Sequence, residues 1–188
     1  MEEFFKVGGA GYYLLILVFA ACIVALLMLR NNKKRPATKA QSLQERYAVM
    51  TKELLDATPD EELVNAVAAN LMGKLSSRRP DPLITIVHLS HGRNAVYFTW
   101  MLVKEVEHNG VEALLKKPAS RFVDVGVEGL ITVGAEQTAA AVRAFVAQTE
   151  QDGEASPAEQ LLLAMETEQP LSLCVDYIRD NPDDFLDQ

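Results

Sequence analysis

Two cysteines in 188 residues, Cys22 and Cys174, are too few and too far apart for a disulfide framework or a metal-ligand spacing. Histidine occurs three times. His88 and His91 stand three apart, as a helical metal site requires, but no third ligand joins them locally; His108 and a carboxylate would have to converge on them. They read as packing or surface residues, and neither metal nor cofactor is expected. There is no Gly-rich phosphate loop, no G-x-S-x-G elbow and no Cys/His nucleophilic pair, so no catalytic residue is assigned. Arg78, Arg79 and Arg93 are too few for a nucleic-acid footprint beside so many acids, which argues against direct nucleic-acid binding.

One long apolar run is present. From Tyr12 to Leu29 no charge interrupts the chain, and eighteen residues make a helix of about 27 Å, close to the hydrocarbon thickness of a bilayer. A helix apolar on every side has no face to offer water. Arg30, Lys33, Lys34 and Arg35 follow at once, whereas Glu2 and Glu3 precede it with a single Lys6. The basic flank marks the cytoplasmic side, so residues 1–11 are expected outside and the rest of the chain in the cytoplasm. The apolar run continues well past Cys22, which makes that cysteine an ordinary helix residue rather than a lipidation site. The expected layout is a short extracytoplasmic stretch over 1–11, a single transmembrane helix over 12–29, a basic linker over 30–41 and a cytoplasmic domain over 42–188.

Charge is segregated along this layout. Residues 1–46 hold seven basic and three acidic residues, and residues 47–188 hold eleven basic and twenty-three acidic ones, a net of −12. An acidic domain is repelled by anionic lipid and by nucleic acid and is attracted to basic partners. Solubility alone also accounts for such a charge.

The pattern in the domain is helical almost throughout, which predicts an all-α fold of several packed helices after the membrane helix. Leu43, Tyr47, Met50, Leu54 and Leu55 form one apolar face from Ser42 onward. Thr58-Pro59-Asp60-Glu61 has the form of a capping box opening a helix that ends near Leu75. Leu83 to Leu89 reads as a short helix or an extended packing segment, broken at Ser90-His91-Gly92. Arg93 to Asn109 is the longest apolar helix and the expected centre of the fold, with Gly110 ending it. A short helix lies near Val111–Lys116, and Ser120 is a candidate cap for a helix over 121–133. Gly126, Gly129 and Gly134 read as close-packing or cap positions, and Gly134 separates an alanine-rich helix over 135–148. After a loop at 151–154, Ser156-Pro157-Ala158-Glu159 forms another capping box. Pro170 breaks the next helix, and a last one runs to Asn181 before an acidic tail.

Three stretches resemble a known family. Tyr97-Phe98-Thr99-Trp100 leads to Glu105 and then Asn109-Gly110. Glu128-Gly129-Leu130 continues to Gly134-Ala135. Tyr177-Ile178 precedes Asp183-Asp184-Phe185. Over roughly 85–186 the chain is similar to the bacterial DNA-mimic protein family, with Trp100, Glu105, Asn109, Gly110, Leu130, Gly134 and Phe185 at its structural motif positions. Val111 stands where a second Gly is usual. The resemblance implies a small all-α domain without enzymatic activity, whose carboxylates stand in for DNA phosphates against the Arg and Lys of a DNA-binding protein.

The expected function is therefore a membrane-anchored, non-enzymatic domain whose acidic surface binds a basic protein, with the lipid bilayer as its other partner. Two alternatives stand beside it. One is a structural membrane adaptor acting through the transmembrane helix. The other is an enzyme using Glu105, Glu107 and His108, carboxylates and an imidazole suited to acid–base chemistry at the end of the central helix.

Overall fold

Helix α4 (His91–Asn109) lies at the centre of the fold and packs against more of the other elements than any other helix does. The computed structural model describes residues 39–75, 90–147 and 156–187. Among these, every regular element is helical. Before α4 come α1 (Lys39–Arg46), α2 (Lys52–Ala57) and α3 (Asp60–Leu75). Two 3₁₀ turns follow it, Val111–Leu115 and Ala119–Arg121. The chain continues through α5 (Val123–Thr132), α6 (Glu136–Ala147), α7 (Pro157–Glu168) and α8 (Pro170–Asp180), and a final 3₁₀ turn covers Pro182–Phe185. No helix among the described residues is long and apolar enough to cross a membrane. The run from Tyr12 to Leu29 and its flank Arg30, Lys33, Lys34 and Arg35 lie outside the described residues, as do His88, the segment 83–89 and the loop 151–154.

The all-α expectation holds, and α4 is the central helix. Ala95, Val96, Phe98, Leu102 and Val106 are buried along it. Ser90 accepts the Arg93 N–H at 3.3 Å, so the helix begins at His91, two residues before the expected start. Gly110 ends it with φ 77°, its N–H donating to Val106 O. Helices α4 and α5 approach each other closely. A Cβ on Gly129 would lie 2.6 Å from Ala95 O, and one on Gly126 would lie 2.8 Å from Leu102 Cδ1. Gly129 lets two backbones approach where any side chain would hold them apart, while the atom nearest Gly126 is the end of the Leu102 side chain.

Three local expectations are corrected. The apolar face from Leu43 to Leu55 is not one helix. The chain bends after Arg46, and Thr51 starts α2 by accepting the Leu54 N–H. Buried Asn70 fixes that bend, donating to Tyr47 O at 2.8 Å, a tertiary bond that periodicity does not register. Thr58 does not serve α3 as expected, because its hydroxyl donates back to Leu54 O at 2.6 Å and so closes α2. Ser120 falls inside a 3₁₀ turn, and α5 starts at Val123 with no side-chain cap. By contrast, Ser156 and Glu159 form the predicted capping box with both bonds present.

The acidic tail is corrected as well, since it is part of the core. Phe185 is only 1% exposed. Asp187 reaches across the fold to four donors. Its carboxylate accepts the Met50 N–H at 2.8 Å, Asn70 Nδ2 at 3.0 Å, Arg93 Nη2 at 2.8 Å and the Lys74 ammonium. Its own N–H donates to Met50 O at 2.9 Å. Arg93 is buried and also donates to the backbone oxygens of Asp184 and Phe185. Burial alone would raise the Asp187 pKa, but the bonds from Lys74, Met50, Asn70 and Arg93 outweigh it and hold the carboxyl well below the usual carboxylate range.

Two predictions follow from this packing. Gly129→Ala should destabilise the domain by roughly 1–3 kcal/mol, because the new methyl meets a backbone oxygen. Gly73→Ala, whose methyl would find among the described residues nothing nearer than Gln44 Cβ at 4.0 Å, should stabilise α3 by roughly 0.5–1 kcal/mol. Urea unfolding of both variants checks the contrast, and equal effects would contradict the close approach at Gly129. Asp187→Asn should cost about 3 kcal/mol at neutral pH, because it leaves the buried Arg93 cation without its counter-charge. The native Asp187 pKa is lowered, so its contribution is complete above the unfolded value of about 3.9 and is lost as pH falls below it. Unfolding curves from pH 7 to pH 2 should therefore show a shallower acid limb in the Asn variant.

Candidate protein interface

Helices α3, α4, α7 and α8 meet around an open groove. One cavity of about 390 Å³ is lined by Val103 and Glu107 of α4, by Met165 and Glu166 of α7, and by the start of α8. A second, of about 350 Å³, is lined by Asp60, Glu61, Val64 and Asn65 of α3 and by α8. Leu171 and Ser172 line both, so the two cavities are neighbours along α8.

Helical spacing produces this surface. On α8, Leu171 and Val175 form an apolar column, with Ser172 and Asp176 as a polar column beside it. On α3, Asp60 and Val64 stack in the same way, with Glu61 and Asn65 alongside. Trp100, Val103 and Glu107 follow at three and four residues along one stripe of α4. Trp100 is half-buried; its Nε1 donates to Asn65 Oδ1 at 3.0 Å, and its ring stacks on Tyr97 at 5.8 Å between centroids.

The corner between α7 and α8 is held from two sides. Gln169 adopts a left-handed φ of 49°, and Pro170 starts α8 directly after it. Just before the corner, the Glu168 carboxylate accepts the N–H groups of Thr138 (2.6 Å) and Gln137 (2.9 Å), which caps α6. Burial pushes the Glu168 pKa up, but these backbone bonds prevail and lower it. At the other end of α8, Arg179 bonds Asp60 at 2.6 Å and the carbonyls of Leu55 and Thr58, tying α8 to the start of α3.

Among the described residues no lysine or arginine lines the groove. Asp60 is paired with Arg179, and Glu107 with Lys104 at 2.6 Å. Glu61, Glu166 and Asp176 are exposed and make no ion pair among the described residues. The surface between α5 and α6 differs, for there Asp124 and Glu128 line a cavity together with Arg143.

The sequence-predicted residues divide clearly. Leu130 and Phe185 are buried in the core, while Gly110 and Gly134 hold positive φ at helix ends. Asn109 donates to Glu105 at 2.9 Å, so this motif pair closes the last turn of α4. His91 and His108 lie at opposite ends of α4, roughly 25 Å apart, so they do not converge. Glu105 and Glu107, two apart on a helix, point in opposed directions. His108 Nδ1 contacts Lys104 O at 2.8 Å. No group of three His, Cys, Asp or Glu side chains suited to a metal occurs among the described residues. Cys174 is buried, and burial pushes its thiol up to about 12, far from a reactive thiolate. Sequence reasoning missed the groove because Leu171 and Val175 look like ordinary core positions; the acids set beside them at helical spacing were the available signal.

The family described as DMP19-like protein matches residues 88–187, just over half of the chain, from the approach to α4 to the Asp187 clasp. Comparisons with curated proteins and with solved structures give no match. The matched segment contains the central helix, its glycine-mediated partner α5 and the α7–α8 corner, and the chain belongs to this DNA-mimic family, the DMP19-like proteins.

Proposed function

We propose that this protein is a membrane-tethered, non-enzymatic interaction protein whose acidic domain occupies a basic, DNA-binding partner. The observation that carries the reading is the net charge of −12 over residues 47–188, joined to membership of a DNA-mimic family. Carboxylates on helices are charged acceptors that a partner's Arg and Lys side chains can engage as they engage phosphate oxygens. The apolar run over 12–29 and its basic flank support the tether and the cytoplasmic placement of the domain. Such a tether would hold a captured DNA-binding protein at the bilayer. The enzymatic alternative has little support, because Glu105, Glu107 and His108 are each engaged on their own helix. The adaptor alternative rests on the 12–29 run alone.

Proximity cross-linking of the full-length protein in its native membrane tests the proposal. A basic cytoplasmic protein should be captured, and it should be lost when acids of the domain are reversed to lysine. Capture of membrane proteins alone, unaffected by those reversals but lost when residues 12–29 are exchanged for another apolar helix, would favour the adaptor instead.

A further inference from the structure

We infer that the groove between α3, α4, α7 and α8 is the docking site for a basic amphipathic helix of a partner protein. This rests on the proposed acidic interaction domain and specifies where, and by what chemistry, that domain binds. Charge alone does not require a groove, since phosphate mimicry needs only carboxylates on a surface. This site also has an apolar floor, formed by Leu171, Val175 and Met165. Glu61, Glu166 and Asp176 edge it, and no cation among the described residues lines it. A ligand can supply the opposite sign to these three acids. On the α5–α6 surface Arg143 already supplies it.

The fold narrows the shape of the ligand. No strand edge exists among the described residues, so an extended peptide gains no backbone ladder here. A helix fits this surface, laying one apolar stripe on the floor and aiming Lys or Arg at the edges. Trp100 adds a flat aromatic face beside the groove, through its bond to Asn65 of the wall, and aromatic faces attract both apolar side chains and cations.

Trp100 is also the single tryptophan of the chain, so its fluorescence reports on the site. The test uses the full chain in phosphatidylcholine nanodiscs, with empty nanodiscs as the blank. The probe is an eighteen-residue Leu/Lys peptide without aromatics, patterned as an amphipathic helix. A second peptide has the same composition with the pattern scrambled. The patterned peptide should bind saturably and shift the Trp100 emission, and the scrambled one should bind about tenfold more weakly. Ser172→Arg, at an exposed position that lines both cavities, should weaken binding about tenfold. Glu128→Lys, a larger charge change on the α5 surface, should weaken it less than about twofold. Equal binding of both peptides, or equal losses in the two variants, would overturn the groove and leave a diffuse acidic surface as the binding mode. If neither peptide binds even at low salt, both the groove and the acidic-domain reading fail.

Discussion

The buried guanidinium of Arg93 needs a counter-charge, and Asp187 supplies it from the far end of the chain. Around that pair the fold closes on itself. Asn70 and Lys74 bring in α3, Met50 brings in the bend between α1 and α2, and Arg93 brings in the first turn of α4. A buried charge pair of this kind repays its desolvation only when all its remaining donors and acceptors are satisfied, and here four donors converge on one carboxylate. The consequence reaches the candidate interface. Asp187 holds α3 at its C-terminal half, Arg179 holds its start, and together they set the wall of the groove against α8.

The distribution of charge then has a structural meaning. Several acids are spent internally: Asp187 in the clasp, Asp60 with Arg179, Glu168 as the cap of α6 and Glu159 in its capping box. Others make no ion pair among the described residues, and three of these edge a groove with an apolar floor, in whose lining no described cation stands. The net charge therefore understates how unevenly negative the surface is. A partner that reads this face would meet carboxylates carried on three packed helices, rather than a flexible acidic tail, and a preorganised backbone binds with less ordering cost.

What could be read from sequence was what is decided locally. The centre of the fold was legible because α4 is apolar around most of its circumference and Gly110 stops it. The start of α7 was legible because a capping box is complete within four residues. Gly126 and Gly129 read as close-packing positions, although their partners, Leu102 and Ala95, could not be known. The misreadings have different causes. The 43–55 stripe is redirected by a distant contact, the Asn70 bond to Tyr47 O, whereas Thr58 is turned by a bond to Leu54 O four residues back and Ser120 falls inside a local 3₁₀ turn. Asp187 looked like one more solvated acid of the tail because its four donors are more than ninety residues away in sequence. The groove was hidden for a related reason, since it belongs to four helices and to no motif.

The central claim is that this domain takes the place of DNA on a basic partner. It is tested most directly by competition. A DNA-binding protein captured by the domain is bound to labelled duplex, and the full-length protein is titrated in. The account predicts that duplex is released in proportion to the domain bound, and that both complexes weaken steeply as salt rises. A stable complex holding partner, duplex and domain together would contradict it.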